Sequence, residues 1–141
     1  MFINPTLDLV PTESLKEFFL SQNASVLSRG ECTRSRFLDA MRSSWSFIHF
    51  NGHGIFTGDI DSSGLSLYDG HLSVRMIDRW SSDGNKMGGA PLVFLGACET
   101  NLSKIRPGDE LFGLARVFHS AGSPTVIASN WLVEVKSTMD L

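Results

Sequence analysis

The sequence predicts an α/β domain with a mainly parallel sheet and helices on both faces. Short apolar runs bounded by turn residues alternate with segments of helical periodicity. The run Leu92-Val93-Phe94-Leu95 is apolar without interruption, as suits a central strand covered on both sides. Strand and helix patterns follow one another singly along the chain, which argues for parallel pairing through helical crossovers.

Taken in order, Phe2-Ile3 ends a first strand, closed by Asn4-Pro5. Ser14-Leu15-Lys16-Glu17 matches a capping box. A helix follows to about Gln22, with Leu15, Phe18 and Phe19 on its buried face. Ala24–Leu27 reads as a second strand, and Arg29-Gly30-Glu31 turns the chain. Thr33 caps a helix whose Phe37, Leu38 and Met41 share a face. Trp45–Phe50, rich in β-formers, is the third strand and ends in Asn51-Gly52-His53-Gly54. Leu65 and Leu67 alternate with Ser66, Asp69-Gly70 supplies a two-residue turn, and Leu72 resumes the pattern. That predicts a small hairpin outside the main sheet. Ser73 caps a short helix carrying Val74, Ile77 and Trp80.

After a polar loop, Leu92–Leu95 is the fourth strand, with Cys98 in the loop beyond it. Asp109-Glu110 open a helix, since acids complement its dipole there. Leu111, Leu114, Ala115 and Phe118 face inward and Gly122 ends it. Thr125–Ala128 is a fifth strand, and residues 135–141 read as the start of another helix. The expected organisation is one domain over residues 1–141, with its C-terminal elements missing.

Composition narrows the function classes. Hydrophobic residues make up 42% of 141, enough for a core. A net charge of −3, with no block of lysine or arginine, gives no reason to expect nucleic acid or an anionic membrane surface. No apolar run approaches a membrane span, and the amino terminus lacks the pattern of a secretory signal. Cys32 and Cys98 form neither a disulfide framework nor a zinc pattern. A reducing, cytoplasmic setting fits that usage. Neither metal nor cofactor is expected.

The chemistry-bearing residues are His53 and Cys98. His53 closes the third strand, and Cys98, 45 positions later, follows the fourth. Sequential parallel strands joined by one crossover tend to be neighbours, and loops at their carboxyl ends carry functional groups. An imidazole beside a thiol can take its proton or stabilise the thiolate, making a nucleophile. The flanking Gly52 and Gly54 let backbone approach a substrate and point N–H groups at an oxyanion.

Together, His49-Phe50-Asn51-Gly52-His53-Gly54 and Gly96-Ala97-Cys98-Glu99-Thr100 resemble the histidine and cysteine motifs of CHAT domains, caspase-like cysteine peptidases related to separases. Ser63–Leu67 with Asp69-Gly70 resembles the hairpin between the motifs. Phe112–Phe118 with Ala121-Gly122 resembles the helix after the cysteine, and Val126–Trp131 the strand ending in a Ser-x-Trp motif. The resemblance implies a caspase-like three-layer sandwich. It implies His53 as general base and Cys98 as nucleophile, with Gly54 and Cys98 donating backbone hydrogen bonds to the oxyanion. Ser129, Asn130 and Trp131 would lie along the substrate cleft. Asn51 stands where the family more usually has a small residue. The implied partner is a protein or peptide substrate, with control by a regulatory protein or an attached repeat domain.

Asp59 and Asp61 are candidates for binding a basic substrate side chain. Glu99 reads as holding the loop, because a carboxylate beside a thiolate raises the thiol pKa. His71 and His119 lack ligand spacing. A second reading is a catalytically impaired or truncated module of this family, acting as a protein-interaction or regulatory domain. A nucleotide-binding α/β domain is a third, but no lysine follows the glycines at phosphate-loop spacing.

Overall fold

The computed structural model describes residues 2–3, 13–99 and 108–128. Within them lie strands β1 (Phe2–Ile3), β2 (Leu27–Ser28), β3 (Phe47–Ile55), β4 (Gly64–Leu67), β5 (Gly70–Ser73), β6 (Leu92–Glu99) and β7 (Thr125–Ala128). The helices are α1 (Glu13–Ser21), α2 (Arg34–Arg42), α3 (Val74–Ser82) and α4 (Gly108–Ala121).

A parallel body runs β2-β1-β3-β6-β7. From β1 the chain steps outward to β2, then back across to β3 and on to β7. Crossovers in opposite directions put their helices on opposite faces. On one face, the Phe19 ring of α1 meets Phe47 and His49 of β3. On the other, Phe37 of α2 lies 6.3 Å from Phe50 of β3 and 6.4 Å from Phe118 of α4, and α3 packs beside α4. This is the expected α/β sandwich with helices on both faces. The core fills the α2–α4 side, with Phe37, Phe50, Leu65, Ile77, Leu95 and Phe118 fully buried.

Two of the three predicted caps and the breaker act as the sequence predicts, whereas Ser14 does not open α1, because the helix already begins at Glu13 and Ser14 lies within it. Thr33 Oγ1 accepts the Arg36 N–H at 3.4 Å and Ser73 Oγ the Met76 N–H at 3.2 Å, opening α2 and α3. Gly122, at φ 116°, ends α4 in a conformation that glycine adopts without strain. The fifth strand spans Thr125–Ala128 as expected.

Four details differ. The second strand is Leu27–Ser28 rather than Ala24–Leu27, these being the residues that pair with Phe2 and Ile3 among the described residues. In α1, Phe18 is 57% exposed. Successive helical residues are about 100° apart, so docking through Phe19 turns Phe18 outward. The hairpin is not outside the sheet: β4 pairs antiparallel with the end of β3, Gly54 with Leu65 and Ile55 with Gly64. Its two loop residues are Tyr68 and Asp69, since Gly70 already pairs with Leu67 and takes the positive φ after the turn. The carboxylate of Asp69 accepts the Arg34 N–H at 2.8 Å, which ties the hairpin to the start of α2. The predicted burial of the Leu111 side chain and the helix predicted over 135–141 lie outside what is described.

β3 is the hub. β6 runs along one of its edges for eight residues, from Phe47 opposite Leu92 to Gly54 opposite Glu99. The other edge is shared, with β1 at Phe50 and Asn51 and β4 at Gly54 and Ile55.

Candidate active site

The two strands bearing His53 and Cys98 are direct neighbours, and these residues stand opposite one another in the ladder. Parallel strands lie about 4.8 Å apart, and residues opposite each other share a face of the sheet. The pair is therefore set by backbone register, on two strands held by a continuous ladder.

Both strands are longer than the sequence suggests. β3 extends through the Asn51–Gly54 stretch to Ile55, and β6 through Cys98 to Glu99. The turn-forming residues Asn51, Gly52 and Gly54 remain extended because β6 pairs with each of them. Ladder bonds offset the conformational entropy that glycine loses. Gly54, nominated as an oxyanion donor, stands between Glu99 on one side and Leu65 on the other.

The same face can be followed down the strands by the period of two. One step below the pair, Asn51 is opposite Gly96. A Cβ built on Gly96 would lie 3.6 Å from Asn51 Oδ1 and 3.5 Å from Phe94 Cε1. A further step down, His49 is opposite Phe94, with ring centroids 4.8 Å apart. The Phe19 and Phe47 rings complete an aromatic surround for His49.

Burial drives the pKa of His49 from the usual 6.5 to about 4. Folded His49 thus stays neutral where the unfolded chain would already be protonated. The sign follows: stability is complete above about pH 6.5 and falls as the pH drops toward 4. The slope is up to about 1.4 kcal/mol per pH unit. His49→Phe should flatten that part of the urea-measured stability curve; an unchanged slope would show that other groups set it.

Asp59 is engaged within its own segment and Asp61 with α3. The carboxylate of Asp59 accepts the Asp61 N–H at 3.2 Å and the Ser62 hydroxyl at 2.5 Å, and the latter bond lowers its pKa. Asp61 pairs with Arg75 at 3.1 Å. His71 is shifted down by burial, within the hairpin. Cys32 is buried, its thiol 3.2 Å from the Leu27 carbonyl oxygen. The cleft residues Ser129, Asn130 and Trp131 lie outside the described residues. Sequence reading placed neither Asn51 nor Gly96 in a site. The signal was there in the period of two: Asn51 precedes His53, and Gly96 precedes Cys98, by two positions each.

An apolar hollow lined by Phe2, Phe19, Trp45 and Phe47 opens at the amino-terminal end of β3, the opposite end from His53. Among the described residues no three of His, Cys, Asp or Glu gather as a metal site would need. None of the described helices is long and apolar enough to cross a membrane.

A family model described as the CHAT domain matches residues 5–141. No curated protein matches the chain.

Proposed function

The chain belongs to the CHAT domain family, which is associated with caspase-like cysteine peptidases, and from that premise we propose that it is an endopeptidase cleaving peptide bonds in a protein substrate through His53 and Cys98. The observation that carries the reading is the ladder register opposing these two residues. Two strand positions at this spacing suit the transfer of one proton between an imidazole and a thiol, which needs heavy atoms about 3 Å apart.

The thiol proton of Cys98 passes to His53, and the sulfur attacks the scissile carbonyl carbon. A C–S bond forms and the carbonyl electrons move onto oxygen. Backbone N–H groups of Gly54 and Cys98 hold that oxyanion. As the oxyanion collapses, the C–N bond breaks and His53 gives its proton to the departing amine. Water then attacks the thioester, loses a proton to His53, and displaces the sulfur, which recovers the proton. The steps consume one water per bond and use neither metal nor cofactor. Control in trans by a regulatory protein or repeat domain belongs to the same reading.

The test is labelling by iodoacetamide across pH, in the parent, Cys98→Ala and His53→Ala. Cys98 should react well below the pH of about 8.5 at which an ordinary thiol ionises, and His53→Ala should abolish that advantage. Ordinary thiol behaviour in both would sink the dyad and turn attention to a binding or regulatory module.

A further inference from the structure

The two faces of the sheet are covered unequally. On the α2–α4 side, Val93 and Leu95 of β6 are buried, and Val126 and Ala128 of β7 pack against the core. The residues that alternate with them stand on the α1 side. There the register sets Phe47 beside Leu92, His49 beside Phe94, and Phe94 beside Ile127. Phe47 is 40% exposed and Ile127 46%, while Leu92 and Phe94 are half-buried. The ring contacts of α1 with the sheet run from Phe19 to Phe47 and His49 of β3, and no residue of α1 is buried. Beside α1, over β6 and β7, the described residues thus leave an apolar lane open. Two strands about 4.8 Å apart make it about 10 Å wide, the diameter of one helix.

We propose that residues 132–141 of the same chain dock in this lane as an amphipathic helix, with Leu132, Val135 and Met139 against the sheet. Pattern comes first. These three recur at helical spacing, with Glu134, Ser137 and Asp140 on the other side and only Val133 and Leu141 off the stripe. Position comes second. The described chain reaches Ala128 at the end of β7, the strand that borders the lane. Ser129-Asn130-Trp131 then suffice as a turn, within the usual two to six residues of such connections. Ten helical residues span about 15 Å, close to the length of β7. The opposite face of β7 is already taken by α4. Tethering decides between occupants. A segment three residues from the lane meets it at an effective concentration of about millimolar, which an untethered partner of the same chemistry does not match. Docking does not depend on peptidase chemistry, but it would anchor Ser129-Asn130-Trp131, which the family resemblance puts along the substrate cleft.

The test is amide hydrogen exchange on the full chain. A helix of ten residues is marginal by itself in water, so protection there reports docking. In the parent, amides 136–140 should exchange at least about 100-fold more slowly than in an unfolded chain. Ile127→Asp in the lane and Val135→Asp in the segment should each bring them within about tenfold of the unfolded rate, with β3 and β6 still protected. If Ile127→Asp also exposes β3 and β6, Val135→Asp decides alone, since it alters only the segment. Free exchange of 136–140 in the parent overturns the proposal and leaves the lane to a partner protein. Protection that survives Val135→Asp overturns it too, by placing the segment elsewhere. Protection that fades on dilution, as a sedimenting dimer dissociates, assigns the lane to a second copy and overturns it equally.

Discussion

A chain carrying His53→Ala is expected to cleave peptide bonds about 10²–10⁴-fold more slowly than its parent, the usual contribution of a positioned general base. Cys98→Ala should fall further, because it removes the proposed nucleophile. The double variant should be no slower than Cys98→Ala alone, since two groups acting on one proton and one bond are not additive. Single-turnover measurement on a cleavable peptide reads all three. The ladder explains why the effect should fall on kcat: His53 lies opposite Cys98, and the strands pair through their backbones, which alanine leaves in place. Their circular dichroism and urea midpoints should match the parent's. Should His53→Ala retain full rate, base catalysis by this residue is excluded.

Phe50→Ala is expected to cost about 3–5 kcal/mol, the range for emptying a buried phenylalanine site. Phe50 is completely buried, meets the Phe37 ring of α2, and sits where β3 pairs with both β1 and β6. The control is Phe47→Ala on the same strand. Phe47 is 40% exposed and lies on the α1 side, so its loss should cost markedly less. Urea unfolding compares them directly. Equal costs would mean that the α1 face contributes as much to stability as the α2–α4 face, contrary to the burial pattern. Because Phe50 is three residues from His53 on a continuous strand, Phe50→Ala should also lower activity by loosening β3.

The order of strands and helices was legible because each signal is local. Thr33 and Ser73 cap the helices they precede, and Val74, Ile77 and Trp80 fall on the buried side of α3 as their spacing requires. What could not be read was how far a strand continues once a neighbour pairs with it. Asn51-Gly52-His53-Gly54 has the composition of a turn, yet β6 keeps it extended. The same tertiary pairing carries β6 past Leu95 to Glu99. Locating His53 and Cys98 at the carboxyl ends of adjacent strands needed only the crossover rule. Their register, and with it the opposition of Asn51 and Gly96, depends on contacts between distant parts of the chain. Phe18 fails for a related reason: an amphipathic pattern shows that α1 has an apolar side, whereas the angle at which it docks decides which ring is covered.

The way β3 obtains its partners has a consequence for biosynthesis. When β3 leaves the ribosome, the β1 and hairpin pairings come from residues between Phe2 and Ser73, and a hairpin of short loop closes in microseconds. The β6 pairing is the late one, because it must wait for residues 92–99 to be made. At about 5–20 residues per second, translation from His53 to Cys98 takes several seconds. Through that interval the nascent polypeptide carries His53 without Cys98. A peptidase assembled on this ladder would acquire its cutting chemistry only once β6 pairs with β3, so that the shorter nascent chain and the folding machinery around it are not exposed to it.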